Sequence, residues 1–130
     1  MGRSRLLIIE DEAEIVSLIE LTAHGAGFDT HAVGSVAEIA EAVAAFNPTA
    51  LLVDLTIIGG AGAQVMRPLA DSKTKAPMVI MSGSGTSEHA EDDARRLSLN
   101  AVGRLDKPFR RAELRAALER LQGLGNQLSA

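Results

Sequence analysis

A chain of 130 residues, 46% of them apolar, is long enough for one domain around one packed core. It has no cysteine, which excludes disulfides and thiolate metal sites, and its net charge of −4 argues against general affinity for nucleic acid. Met1-Gly2-Arg3-Ser4-Arg5 leads into an apolar run too short for a signal-peptide core, and no run approaches the ~20 residues of a membrane span, so a cytoplasmic location without membrane contact is expected.

Strand and helix patterns alternate along the chain. Leu6-Leu7-Ile8-Ile9 reads as a buried strand ending in Glu10-Asp11. A helical stripe at Ile15, Leu18, Ile19 and Thr22 predicts a helix from Glu12 to about His24, stopped by Gly25 and Gly27. Phe28 to Val33 alternates like a short strand. Ser35-Val36-Ala37-Glu38 reads as a capping box for a helix to Phe46, which Asn47-Pro48 ends. Ala50-Leu51-Leu52-Val53 is a second buried run, and it ends in Asp54. A loop with Gly59, Gly60 and Gly62 follows, then a helix over about Ala63 to Ser72 with a kink or break expected at Pro68. Met78-Val79-Ile80-Met81 ends in Ser82 and a flexible loop to Ser87. A helix is expected from Glu88 to Leu99, a fifth strand over Ala101 to Leu105, and a last helix from Arg111 to about Leu124. Residues 1–122 thus form the domain, and 123–130 read as a frayed tail or the start of a linker.

Repeated strand–helix units predict an α/β fold with a parallel sheet covered on both faces. The expected form is a flavodoxin-like three-layer α/β/α sandwich with five parallel strands in the order 2-1-3-4-5. Such sheets bind ligands at the carboxyl ends of the strands, where the strand order reverses. That point lies between the first and third strands, which end in Glu10-Asp11 and Asp54. An ionised carboxylate at the tip of a buried strand is costly unless something pairs with it. With the strands parallel in one sheet, three carboxylates, the Ser82 hydroxyl and the ammonium of Lys107, which follows the fifth strand, are expected to converge at this edge. The set can hold a divalent cation and accept a phosphoryl group. Plainer roles exist for each: a helix cap for Asp54, dipole partners of the first helix for Glu10 and Asp11, turn chemistry for Ser82 and a surface position for Lys107. His24, His31 and His89 fall on unrelated elements and read as surface or helix-end residues.

In order and at their spacing, Leu7-Ile8-Ile9-Glu10-Asp11-Glu12, Leu52-Val53-Asp54-Leu55, Gly62, Ile80-Met81-Ser82-Gly83 and Leu105-Asp106-Lys107-Pro108-Phe109 resemble a bacterial response-regulator receiver domain over about residues 5–122. The resemblance implies that Asp54 accepts a phosphoryl group from a phosphohistidine on a sensor histidine kinase or phosphotransfer protein. It implies Mg²⁺ held by Glu10, Asp11, Asp54 and the backbone carbonyl of Thr56, with Ser82 and Lys107 binding the phosphoryl oxygens. It further implies a cis Lys107-Pro108 bond, a signalling role rather than an enzymatic one, and an attached output domain or a homodimer through the face of helix four, strand five and helix five.

The chain departs from that family at two places. Arg104 stands where receivers usually carry a switching Tyr or Phe, and Ile57-Ile58 replaces the common Met-Pro, which predicts a more mobile loop. We expect Arg104 to stay outward in both signalling states. The Ser82-Gly83 loop and the Val102-to-Leu105 strand also look like receivers attached to cyclic-dinucleotide phosphodiesterases. Residues 95–120 carry eight basic side chains against three acidic ones, a solvated face or a surface for an acidic partner. Two rivals remain. A degenerate receiver would act as an interaction module without phosphorylation. A haloacid-dehalogenase-type phosphohydrolase would share the strand-end aspartate, but its nucleophile ends the first strand and an acid pair follows its lysine.

Overall fold

The computed structural model describes residues 3–57, 62–84 and 86–129, with side chains described through residue 125. Its elements are β1 (Ser4–Ile9), α1 (Ala13–Gly25), β2 (Phe28–Val33), a 3₁₀ turn (Val36–Glu38), α2 (Ile39–Phe46), β3 (Ala50–Asp54), α3 (Gly62–Asp71), β4 (Pro77–Ser82), α4 (Ala90–Arg96), β5 (Asn100–Asp106) and α5 (Arg111–Ser129). The five strands form one sheet in the order β2-β1-β3-β4-β5, and every pairing is parallel, as the sequence predicts.

Alternation along the buried strands sorts the core into two layers. Leu7, Ile9, Leu51, Val53, Met78 and Ile80 pack on one side with residues of α2, α3 and α4. Leu6, Ile8, Leu52, Val79 and Met81 pack on the other with Ile19 and Ala23 of α1 and Leu114, Leu118 and Leu121 of α5. Strands buried on both faces have little freedom to slip, because a one-residue shift would exchange the two layers. The ends of β1, β3 and β4 are thereby held level, with Ile9 beside Val53 and Asp54 beside Met81.

Several element ends differ from expectation, each for a local reason. Ser35 is extended and does not cap the backbone. Its hydroxyl donates to Glu38 Oε1 at 2.8 Å, and the first turn is 3₁₀, closed by Glu38 N–H on Ser35 O at 3.3 Å. The α3 helix is continuous through Pro68. Helix α4 is shorter at both ends than the expected 88–99. Ser87 Oγ accepts from His89 N–H at 3.0 Å and holds a turn ahead of it. At the other end Ser98 takes φ 66°, and the N–H groups of Ser98 and Leu99 bond Arg95 O and Ala94 O at 2.9 and 3.0 Å, a left-handed close that ends the helix. Helix α5 continues to Ser129 instead of ending near Leu124. Of the loop expected to be mobile, Ile57 is buried and Ile58 lies outside the described residues.

Gly27 links α1 to β2 at φ +94°, a conformation that suits glycine. Gln122 Nε2 donates there to Ala26 O and Gly27 O at 3.0 and 3.3 Å, tying α5 to the turn. A Cβ on residue 27 would lie 2.7 Å from that nitrogen. Gly27→Ala is therefore expected to cost about 1–2 kcal/mol, from backbone strain plus the displaced amide. Urea denaturation of the two proteins measures it.

Candidate functional site

Asp54 is the last residue of β3 and only 3% exposed. Its two carboxylate oxygens have separate partners. Oδ1 accepts from Thr56 N–H at 2.9 Å and from Thr56 Oγ1 at 2.8 Å. Oδ2 accepts from Lys107 Nζ at 2.9 Å. The same ammonium donates to Glu10 Oε1 at 2.5 Å, and Glu10 Oε2 accepts from the backbone N–H groups of Asp11 and Glu12 at 3.0 and 3.2 Å. Lys107 is held over the sheet edge by the end of β5, where its own N–H bonds Ser82 O at 2.6 Å, and the following bond to Pro108 is cis, as expected.

The electrostatics follow from burial and from this one cation. Burial pushes the Asp54 carboxyl upward, but the Lys107 hydrogen bond, the two Thr56 bonds and the Lys107 charge outweigh it and hold Asp54 below the usual carboxylate range. Burial also pushes Glu10 upward, and there it wins over the Lys107 and Glu12 bonds, with the negative charge of Asp54 adding to the rise. Burial would lower the Lys107 ammonium, yet its bonds to Glu10 and Asp54 raise it above its ordinary value. Asp54 is thus kept ionised at neutral pH.

Glu10, Asp11 and Asp54 each offer a carboxylate oxygen, and these lie within 4.8 Å of one another. Asp11 is the exposed member. Three carboxylates against one ammonium leave an excess of negative charge, and all the donors are hard oxygens, the kind that suit Mg²⁺ or Ca²⁺. The residues present therefore fit a divalent cation. A shallow opening lined by Glu12, Thr56, Gly83, Ser84, Lys107 and Phe109 leads to this edge.

The structure brings together Glu10, Asp11, Asp54 and Lys107 as the sequence predicts, with Thr56 beside them. Thr56 was expected to contribute through its carbonyl. Its N–H and hydroxyl, unforeseen, clasp Asp54 as well. An aspartate bonding the N–H two residues on is a common turn habit and was a usable signal. Ser82 stands at the expected strand end, but its hydroxyl donates to Asp106 Oδ1 at 2.7 Å. Asp106 is not among the sequence-predicted site residues. Arg104 is neither swung inward nor free in solvent. Its side chain is 24% exposed and lies along the loop before α4, with Nη2 and Nη1 donating to Ser87 O and Glu88 O at 3.1 and 3.5 Å. The Ser82-to-Ser87 loop also carries its own turn, since Gly83 N–H bonds Thr86 Oγ1 and Thr86 N–H bonds Gly83 O, at 3.2 and 3.1 Å. The arginines of α4 are neutralised within their helix, Arg95 by Glu91 and Asp92 and Arg96 by Asp93. The histidines have other partners: His24 meets Thr30, His31 packs at a tilt against Phe46 and His89 meets Glu88. Among the described residues no helix is long and apolar enough to cross a membrane.

The family model for the response regulator receiver domain matches residues 6–119. The cell cycle response regulator CtrA of Brucella abortus is 32% identical over 114 residues, which are 88% of this chain and 48% of that protein. The chain thus spans about half the length of the curated relatives it matches. The signal receiver domain of a LuxO repressor protein of Vibrio parahaemolyticus superposes with a TM-score of 0.82 at 16% identity, covering 98% of this chain and 95% of that one. The receiver domain of a sensor histidine kinase of Pseudomonas aeruginosa, solved with a magnesium ion coordinated in the active-site cleft, gives a TM-score of 0.73 at 21% identity, over 95% and 99% of the two chains. At these identities the two structures share the fold.

Proposed function

The chain belongs to the response regulator receiver domain family of two-component systems, and from that premise we propose that Asp54 accepts a phosphoryl group from a phosphohistidine on a sensor histidine kinase or phosphotransfer protein. The observation that carries this reading is the setting of Asp54: buried and clasped by Lys107 and Thr56 at the sheet edge. A carboxylate oxygen attacks the phosphorus, the P–N bond to the imidazole breaks, and the leaving imidazole keeps the electron pair and is protonated from solvent. Such a transfer depends on positioning and charge neutralisation more than on covalent help. Lys107 is already at bonding distance from Asp54 Oδ2, so its ammonium is in place to pair with a phosphoryl oxygen. Glu10, Asp11, Asp54 and the Thr56 carbonyl would hold Mg²⁺, which when bound neutralises charge on the transferring oxygens. The magnesium-containing Pseudomonas receiver supports that choice of ion.

On this reading the protein is a phosphoacceptor that acts on itself, not an enzyme with a separate substrate. It signals in the cytoplasm, without contacting nucleic acid, to an attached output domain or to a second copy through α4, β5 and α5.

Acetyl phosphate with Mg²⁺ is expected to add one phosphoryl group, seen by intact mass. Asp54→Asn should stay unlabelled, and chelation of the metal should slow labelling of the parent strongly. Equal labelling of the Asn variant would refute the assignment.

A further inference from the structure

Ser82 has one hydroxyl proton to give, and it gives it to Asp106 at 2.7 Å. The two residues face each other in register across β4 and β5. Two positions before Asp106, Arg104 lies on the same side of β5. Its Nε stands 3.8 Å from the same Asp106 Oδ1. Its two terminal nitrogens hold the carbonyls of Ser87 and Glu88, in the turn that opens α4. Ser87 O also accepts from the N–H of Ala90, the first residue of that helix, at 3.2 Å. A continuous polar chain therefore runs from the edge of the acidic site to the start of α4.

We propose that Asp106 is a positioning residue: it competes with a phosphoryl group for the Ser82 hydroxyl, and through Arg104 it couples the outcome to the turn before α4. This rests on the phosphoacceptor reading of Asp54. No bond is made or broken in the exchange except hydrogen bonds. When Ser82 turns its proton to a phosphoryl oxygen, Asp106 Oδ1 loses its donor. The nearest cation is the Arg104 guanidinium. A guanidinium is a rigid planar fork, so closing its Nε on Asp106 swings both terminal nitrogens off Ser87 and Glu88. The freed carbonyls loosen the turn. The arginine thus takes part in the switch without swinging inward, as a clasp on the loop. The charge balance suits it, because Asp106 is exposed and its only ion-pair partner among the described residues is Arg104.

The test is a double-mutant cycle in the full chain, read by beryllofluoride affinity in Mg²⁺. Asp106→Ala frees the Ser82 hydroxyl and is expected to tighten beryllofluoride binding about fivefold, the factor that one hydrogen bond of typical net strength sets. In the Ser82→Ala background the same substitution should change nothing. Asp106→Asn, which keeps an acceptor but loses the charge, should fall between. Hydrogen exchange reads the second half. Beryllofluoride should speed exchange at the Ala90 amide of the parent but not of Asp106→Ala. An affinity unchanged or weakened by Asp106→Ala, or a gain that persists without the Ser82 hydroxyl, would overturn the competition. An Ala90 amide that responds equally in both proteins would overturn the coupling. A parent that binds no beryllofluoride would overturn the phosphoacceptor reading and this inference with it.

Discussion

Lys107→Ala is expected to destabilise the protein by about 3 kcal/mol at neutral pH, the low end of the cost of breaking a buried ion pair, because the ammonium keeps part of its surface in water. The substitution leaves Glu10 and Asp54 buried, at 2% and 3% exposure, with no cation between them. The pH dependence has a definite sign. Asp54 in the parent is lowered from 3.8, so it contributes stability above that pH, lost as the pH falls through its folded value. Lys107 is raised from 10.5, so its contribution is present below that pH and lost as the pH rises through its folded value. Glu10 is raised from 4.5 and works the other way, favouring the fold below that pH and weakening it as it ionises. Without Lys107 both carboxyls lose a hydrogen bond and a favourable charge and move upward. The deficit of the variant should therefore shrink as the pH is lowered toward 4.5. Mg²⁺ should restore more stability to the variant than to the parent, since the cation no longer competes with an ammonium. Thermal melts across pH, with and without Mg²⁺, measure all three effects. A deficit that grows on acidification would contradict the account.

The second large effect is expected from the scaffold. Leu52 is fully buried on β3, two residues before Asp54, within the layer formed with Leu6, Ile8, Leu114 and Leu118. Leu52→Ala should cost about 3–4 kcal/mol, the transfer of the lost methyls plus the cavity they leave. That is a large share of the ~5–15 kcal/mol that holds a domain of this kind. Asp54 is held at the strand end by its own bonds to Thr56 and Lys107. Phosphoryl uptake per folded molecule should therefore stay near that of the parent while the denaturation midpoint falls. Uptake lost in proportion beyond the unfolded fraction would show that the site depends on this layer.

The contrast between these two substitutions parallels what the sequence makes legible. Runs such as Leu6 to Ile9 and Ala50 to Val53 are apolar without interruption, so they read as strands covered on both faces, and the sheet order follows from few remaining topologies. The acids at their ends are then placed by the backbone alone. Side-chain choices that cross between elements are different. Whether Ser82 gives its proton to Asp106 or toward Asp54 depends on the register of β4 against β5, which shifts at Met78 and Val79. Arg104 finds its carbonyl partners only because α4 begins late, at Ala90, leaving Ser87 and Glu88 in a turn beside it. Nor does local pattern reveal that Ser35 spends its hydroxyl on the Glu38 side chain. The length of α5 was hidden for a related reason. Gly123 and Gly125 look like stop signals, yet Gly125 lies where a Cβ would come 2.9 Å from Thr49 O, so a close approach to the loop before β3 accounts for that glycine inside the helix.

A phosphoryl group on Asp54 would be an acyl phosphate, which has a direct chemical signature. Borohydride reduces it to an alcohol, converting aspartate to homoserine. After treatment with acetyl phosphate and Mg²⁺, then reduction and proteolysis, homoserine is expected at position 54 and no reduction at any other acid, Glu10 and Asp11 included. Reduction at another residue, or none in a protein that has gained phosphoryl mass, would contradict it.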